Sequence, residues 1–150
     1  MSPLVIRTGR LEEKLDLESL QMAASLMWES DREMLLANPE AGDIPRQQFE
    51  DGQVFVAERH GELMGFGVVY QRLDGEAELD GLFTRPDQWR SGIGRALVEE
   101  AMRRTRAWGA GHLFVIGNPN AEAFYLALGF VQFGVEQTEF GVGLRMRRAV

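Results

Sequence analysis

Runs rich in apolar residues, separated by turn-forming residues, occupy the middle of this chain. Residues 53–59 and 63–70 are two such runs, and His60 and Gly61 between them form a pair typical of a tight turn. A third run, Ala77–Thr84, in which Glu78 and Asp80 alternate with apolar residues, follows a short turn-forming stretch. Because short apolar runs bounded by turn residues are typical of strands, we predict a hairpin followed by a third strand.

Elsewhere, apolar residues recur three and four positions apart, which is the period of a helix. Asp16 is placed to cap a first helix, and a second helix over residues 32–37 ends at Asn38 and Pro39. The apolar stripe of the first helix predicts a side that faces the core, formed by Leu17, Leu20, Ala24, Met27 and Trp28.

Two more helices are predicted in the second half of the chain. The longer one begins in a glycine-containing loop and runs to Trp108, before Gly109, and the shorter one covers residues 121–128. The predicted inner face of the longer helix consists of Ile93, Leu97, Ala101 and Trp108.

The remaining apolar runs complete a sheet. Residues 4–7 form a short opening strand, 113–116 a wholly apolar and therefore buried strand, and 131–135 with 142–147 a closing hairpin. The resulting order, β–α–α–β–β–β–α–β–α–β–β, predicts an α+β fold whose sheet is mostly antiparallel with one crossover.

Composition restricts the class of protein. The 150 residues suit one domain, 1–150, with its own core. The lack of cysteine excludes disulfides and thiol catalysis, and the formal charge of −7 disfavours nucleic acid as a partner. No apolar run reaches the roughly 18–20 residues of a membrane helix and no leader pattern is found, so we expect a cytoplasmic protein with no membrane partner. His60 and His112 lack companions at ligand spacing, so we expect no metal site.

Residues 82–97 combine the end of a strand, two glycines and the start of a helix. The first turn of a helix presents unpaired N–H groups, and its dipole favours negative charge there. Gly92 and Gly94 allow an anion close to the main chain, and Arg90 and Arg95 add guanidinium donors. This stretch predicts a phosphate-binding loop, with a glycine-rich helix start that binds no ligand as the alternative.

Two widespread phosphate-binding motifs do not fit this stretch. The dinucleotide fingerprint needs a third glycine where Leu97 stands, and a P-loop needs a Gly-Lys-Ser/Thr sequence that the chain lacks. A nicotinamide-dependent oxidoreductase is therefore disfavoured.

Two segments resemble the GNAT superfamily of acyl-CoA-dependent N-acetyltransferases. Residues 78–97 are similar to the family's fourth strand and its pyrophosphate loop, Gln/Arg-x-x-Gly-x-Gly/Ala, although Trp89 stands at the first position of that loop. Residues 118–130 are similar to the family's Asn-x-x-Ala-x-x-Phe-Tyr followed by Gly-Phe. The resemblance implies a mixed, mostly antiparallel twisted sheet flanked by helices and splayed between its fourth and fifth strands.

The resemblance also implies an enzyme that moves the acetyl group of acetyl-CoA (coenzyme A) to an amine by direct attack in a ternary complex. The pantetheine arm would pair with main-chain groups near Leu82, Phe83 and Thr84, where an N–H would polarise the thioester carbonyl. The alternative is a catalytically silent acyl-CoA sensor on the same fold. The cofactor-binding residues that the resemblance implies are Leu82, Phe83, Thr84, Trp89, Arg90, Ser91, Gly92, Ile93, Gly94, Arg95, Asn118 and Tyr125.

Three side chains are candidates for proton transfer. Tyr125 matches the family tyrosine that protonates the leaving thiolate, and its alternative role is packing beside Phe124. Glu78 and Asp80 alternate onto one side of a strand, where either could accept the amine's proton or both could form a solvated face. Asn118 would tie the turn after the fifth strand to the cofactor or cap the next helix.

The acceptor site implied by the resemblance lies between the first two helices and the last hairpin, near Trp28, Glu29 and Glu136. Glu29, Glu136 and Glu139 would join the two strand carboxylates in a negative rim that attracts a cationic amine, with a uniformly acidic surface as the alternative. The acceptor could be a small molecule, a peptide or a protein. A homodimer is a further expectation at the level of the family.

Overall fold

The computed structural model describes residues 3–138 and 141–150, without the side chains of Glu29, Ser30 and Pro39. The strands are β1 (Val5–Thr8), β2 (Val54–Arg59), β3 (Glu62–Gln71), β4 (Ala77–Thr84), β5 (His112–Gly117), β6 (Val131–Thr138) and β7 (Gly141–Ala149). The α-helices are α1 (Lys14–Ser25), α2 (Glu29–Ala37), α3 (Arg46–Glu50), α4 (Ile93–Ala107) and α5 (Glu122–Ala127). Within the described ranges, no helix is both long and apolar enough to cross a membrane.

The strands form one seven-stranded sheet in the order β1-β2-β3-β4-β5-β7-β6. The pairs β1–β2, β2–β3, β5–β7 and β6–β7 are antiparallel, and β4–β5 is parallel, with α4 as the crossover between them. The parallel ladder joins Ala77, Glu78 and Leu79 to Leu113, Phe114 and Val115. The predicted mixed, mostly antiparallel sheet flanked by helices is therefore confirmed.

The chain divides into two compact units, and β3, β4 and α4 each contribute residues to both. Of the described residues, the first unit takes in 3–68 and Gly81–Val98, and the second takes in Val69–Asp80 with 99–138 and 141–150. The single domain over residues 1–150 stays a prediction.

The core of the first unit lies between α1, α3 and one face of β2 and β3. It is formed by Leu17, Leu20, Ile44, Phe49, Val54, Val56, Phe66 and Val68. The opposite face of β2 carries Phe55, which is fully buried beside Gly67. A Cβ on Gly67 would lie 2.5 Å from the Phe55 ring, so the aromatic side chain occupies the space that the glycine leaves.

In the second unit, buried and more exposed residues alternate along β5 and β7. The buried positions are Leu113, Val115, Leu144 and Met146, and the positions between them are Phe114, Ile116, Arg145 and Arg147. Ile116 is 42% exposed. The prediction that residues 113–116 are wholly buried is therefore wrong, because only one face of β5 is covered.

The structure corrects several predicted helix positions. Asp16 does not cap the first helix: it lies inside the first turn of α1, whose N-cap is Glu13. Met27 lies beyond α1 and Trp108 beyond α4, and both are exposed, so neither extends the buried stripe of its helix. Helix α3 was not predicted, because Phe49 is the only apolar residue among its five and gives no periodicity.

Candidate functional site

The loop between β4 and α4 needs a conformation that glycine adopts most easily. Gly92 has a φ of +87°, and a Cβ at this position would meet no atom within 4 Å. The glycine is therefore required by the backbone turn and not by lack of space. Arg90 also has a positive φ, of +66°. These two left-handed residues direct the chain from the loop into α4.

The first turn of α4 leaves main-chain donors open. The first i→i−4 hydrogen bond runs from the Ala96 N–H to the Gly92 carbonyl oxygen, over 3.0 Å. No backbone acceptor is found, among the residues described, for the earlier amides of Ile93, Gly94 and Arg95. Three N–H groups at the positive end of the helix dipole suit an anion such as a diphosphate.

Exposed polar side chains surround these amides. The Ser91 hydroxyl donates to the Gln88 carbonyl oxygen and so closes the loop on itself. In the described part of the chain, Arg90 and Arg95 form no ion pair with a carboxylate, and both are exposed. Both guanidinium groups therefore keep their donors for an external anion.

Trp89, at the first position of the loop, holds the loop to the end of β4. Its indole N–H donates to the Thr84 carbonyl oxygen over 3.0 Å. Its ring stacks on Trp28, with centroids 5.1 Å apart and planes inclined by 25°. Trp89 therefore holds the loop between the end of β4 and Trp28, the residue before α2. Its stack on Trp28 joins a residue predicted to bind the cofactor to one predicted to bind the acceptor.

Leu82, Phe83 and Thr84 form the half-buried end of β4 in the first unit. The Phe83 ring packs against Phe66 with centroids 5.4 Å apart. A Cβ on Gly65 would lie 2.7 Å from the Phe83 carbonyl oxygen, so β3 approaches this strand end closely only because residue 65 is glycine. The predicted pantetheine-binding strand end is thus fixed on one side by β3.

Glu78 and Asp80 lie on one side of β4, in the second unit, as their spacing predicted. The Tyr70 hydroxyl donates to the Glu78 carboxylate over 2.7 Å, and the Arg72 guanidinium lies 3.5 Å from it. Burial and the neighbouring Glu78 carboxylate raise the pKa of the Tyr70 phenol to about 12. Glu78 is therefore held by one hydrogen bond and one ion pair, and Asp80 is exposed at the strand surface.

Tyr125 lies in α5, in the second unit, and only 7% of it is exposed. Its ring packs edge-on against Phe124 and Phe130, with centroids 5.1 and 5.4 Å away, and a Cβ on Gly117 would lie 3.2 Å from it. Within the described ranges its hydroxyl has no hydrogen-bond partner. Burial raises the pKa of the Tyr125 phenol, which keeps the hydroxyl protonated at neutral pH.

The other predicted site residues lie in more ordinary settings. The Asn118 side chain accepts the N–H of Asn120 over 2.9 Å and caps a 3-10 turn, which favours the capping alternative. Glu136 lies opposite Gly143 on the exposed hairpin of β6 and β7. The side chain of Glu29 and all of Glu139 lie outside what the structure describes, so the proposed negative rim stays a prediction.

A protein-family model described as "Acetyltransferase (GNAT) family" matches residues 20–130 of this chain. The chain belongs to the GNAT acetyltransferase family. The matched region contains the loop before α4 and the segment around Tyr125, so the resemblance of both segments is confirmed. No match was found among curated protein sequences.

Two solved N-acetyltransferase structures share the fold over nearly the whole chain, and a third shares it over about two thirds of the chain. A GCN5-related N-acetyltransferase from Rhodopseudomonas palustris has a TM-score of 0.81 at 19% identity, covering 100% of this chain and 98% of its own. The PaiA N-acetyltransferase from Thermoplasma acidophilum, solved with coenzyme A, has a TM-score of 0.78 at 19% identity and 99% coverage of both chains. A nourseothricin acetyltransferase has a TM-score of 0.60 at 28% identity over 64% of each chain.

Sequence analysis of this GNAT chain missed two contacts at the candidate site. One is the Trp28–Trp89 stack, which joins residues far apart in sequence. The other is the pair of donors, Tyr70 and Arg72, at the Glu78 carboxylate. The apolar-rich runs of residues 63–70 and Ala77–Thr84 predicted two strands, but a strand pattern gives no register between them.

Proposed function

We propose that this GNAT protein is an N-acetyltransferase that moves the acetyl group of acetyl-CoA to an amine by direct attack in a ternary complex. The observation that supports this most is the open first turn of α4, with Gly92 at a φ of +87°, inside the family match. When bound, acetyl-CoA supplies the acetyl group as an activated thioester. The residues of the loop fit its diphosphate, because three amides and two guanidinium groups there have no acceptor or carboxylate partner among the described residues.

Each part of the chain would then have a defined role. The amides of Ile93, Gly94 and Arg95 would bind the diphosphate, with Arg90 as an additional donor. Main-chain groups near Leu82, Phe83 and Thr84 would orient the pantetheine arm, and an N–H there would stabilise negative charge on the carbonyl oxygen. Holding both reactants in place supplies the orientation that direct attack needs.

Tyr125 would deliver the proton that the departing sulfur takes up, since its buried phenol keeps that proton at neutral pH. Either Glu78 or Asp80 would accept the proton of the amine, directly or through water. The Glu78 carboxylate accepts a hydrogen bond from the Tyr70 hydroxyl and forms an ion pair with Arg72. The two donors on Glu78 are what favours the alternative, a catalytically silent acyl-CoA sensor.

The binding step is tested by titrating acetyl-CoA calorimetrically into wild type and Gly92→Ala. Gly75 is a matched control, because it has a φ of +88° and its Cβ would also meet no atom within 4 Å. Both variants should lose about 1–2 kcal/mol of stability through the same backbone strain. Only Gly92→Ala should lose acetyl-CoA affinity. Equal affinity in the two variants would remove the phosphate-binding role of the loop.

The catalytic step is tested by following thiol release from acetyl-CoA with a panel of small amines, peptides and proteins. Turnover on any amine supports the enzyme, and tight binding with no turnover supports the sensor. The homodimer and the cytoplasmic location stay predictions, and sedimentation velocity would settle the first.

A further inference from the structure

The hairpin of β6 and β7 carries an exposed cluster of aromatic and arginine side chains. The guanidinium carbons of Arg145 and Arg147 lie 5.0 and 5.1 Å from the centroid of the Phe133 ring. Phe114 packs edge-on against the same ring, with centroids 5.8 Å apart. Phe133 is 41% exposed at a bulge in β6, between Gln132 and Gly134. We name Phe133, Arg145 and Arg147 the arginine face.

The strand register places these side chains on one side of the sheet. Arg147 lies opposite Phe114 in β5 and Val131 in β6, and Arg145 lies opposite Ile116 and Gly134. Residues directly opposite one another in neighbouring strands point to the same side. Leu144 and Met146 point to the other side and are buried. The guanidinium groups of Arg145 and Arg147 in β7 therefore extend outward over the Phe133 ring in β6.

Most arginines of the second unit have a carboxylate partner. Arg72 pairs with Asp74, Arg103 and Arg104 with Glu100, and Arg148 with Glu99. No carboxylate among the described residues pairs with Arg145 or Arg147, although the chain carries a formal charge of −7. The arginine face is thus a cationic surface on an acidic protein, held in place by one aromatic ring.

The spacing of the two guanidinium groups fits an extended chain. Arg145 and Arg147 are two positions apart in a strand, so their Cα atoms are about 6.6 Å apart. Alternate side chains of an extended peptide have the same separation. Each planar guanidinium can bind a carboxylate with two parallel hydrogen bonds. In the sheet order β6 is the last strand, so its outer edge is open to an added strand, as far as the described residues show.

We propose that the arginine face binds an extended acidic peptide segment that lies along the edge of β6. A second copy of this chain fits less well, because pairing two β6 edges would place the two arginine clusters side by side. Nucleic acid fits less well because the formal charge of −7 repels phosphates. The proposal does not depend on acetyl transfer.

The test uses the full chain without acetyl-CoA and a C-terminally fluorescein-labelled octapeptide with glutamate at alternate positions. Its N-terminus is acetylated, so the peptide cannot serve as an amine acceptor. Binding is followed by fluorescence anisotropy. We expect the double variant Arg145→Gln with Arg147→Gln to bind at least tenfold more weakly. Arg106→Gln removes one exposed arginine of the same unit elsewhere and should change the affinity less than twofold.

Further variants and ligands identify the molecule that binds the arginine face and the side chains that bind it. Phe133→Leu should weaken binding with both charges in place, and replacing glutamate by glutamine in the peptide should abolish it. Phe133→Leu and each single arginine variant also serve if the double variant fails to fold. Equal affinity in all variants would overturn the proposal, as would tighter binding of an eight-nucleotide RNA. A dimer that the arginine substitutions dissociate would assign the face to a second copy and overturn it as well.

Discussion

Replacing Trp89 tests whether this side chain holds the loop before α4. Its indole N–H donates to Thr84 over 3.0 Å, and its ring stacks on Trp28 at 5.1 Å. The hydrogen bond contributes about 0.5–1.5 kcal/mol to the free energy of unfolding. An aromatic pair adds about 0.5–1.5 kcal/mol beyond the contribution of its buried apolar area. Trp89→Phe removes the first contribution and keeps a ring for the second, whereas Trp89→Leu removes both.

Trp108 provides a matched control, because it is 36% exposed, as Trp89 is. The apolar area lost in parallel substitutions is therefore similar. Among the residues described, the Trp108 ring has neither an aromatic partner nor a hydrogen bond. The difference between the two positions then measures the contacts of Trp89 alone.

We expect Trp89→Phe to lower the free energy of unfolding by about 1 kcal/mol more than Trp108→Phe does, and Trp89→Leu by about 2 kcal/mol more than Trp108→Leu. For a chain of this length, these values correspond to reductions in Tm of about 2–4 and 4–8 °C. Urea unfolding monitored by circular dichroism gives the free energies, and a thermal scan gives the Tm.

A double-mutant cycle with Trp28→Leu isolates the stack. Its coupling energy should be about 0.5–1.5 kcal/mol. If the stack and the hydrogen bond position the loop, acetyl-CoA affinity should fall in Trp89→Leu and stay unchanged in Trp108→Leu. Equal losses of stability at both positions, together with no coupling to Trp28, would refute the bracing role.

Three other predictions concern packing, pH and catalysis. Gly67→Ala should destabilise the fold by about 1–3 kcal/mol in urea unfolding, because the new Cβ would lie 2.5 Å from the buried Phe55 ring. Hydrogen bonds from Arg7 hold the pKa of the Glu13 carboxyl below its ordinary value of 4.5. The ionised Glu13 carboxylate therefore stabilises the folded state above pH 4.5, and this stabilisation is lost as the pH falls through the pKa of the folded state. Glu13→Gln should therefore be destabilised relative to wild type at pH 7, with a smaller difference at pH 3. Tyr125→Phe should lower kcat about 100-fold or more in a thiol-release assay and change Tm by less than about 2 °C.

Each of these has its own control. Gly111→Ala adds a methyl where the nearest atom, Glu76 Oε1, lies 3.4 Å away, and it should cost less than Gly67→Ala. Glu12→Gln removes the neighbouring exposed charge, and a pH dependence like that of Glu13→Gln would contradict the Arg7 pairing. An unchanged kcat in Tyr125→Phe, with chemistry as the slow step, would exclude the proton-donor role.

The sequence alone determined the strands, the crossover and the loop before α4, because these depend on local patterns. The sequence pattern predicted both end residues of β4, Ala77 and Thr84. The positive φ of Gly92 is consistent with glycine at this position of the motif. Two motifs in the expected order were enough to identify the family. Periodicity also placed Leu17, Leu20 and Ala24 in the core.

Tertiary structure decided the contacts between residues distant in sequence. The stack of Trp28 on Trp89 and the donors on Glu78 depend on how separate elements meet, which no local pattern encodes. The exposure of Ile116 depends on which face of β5 is covered, and the arginine face depends on the register of β6 against β7. Local periodicity specifies which side of an element is apolar, and only the packed chain specifies what lies against it.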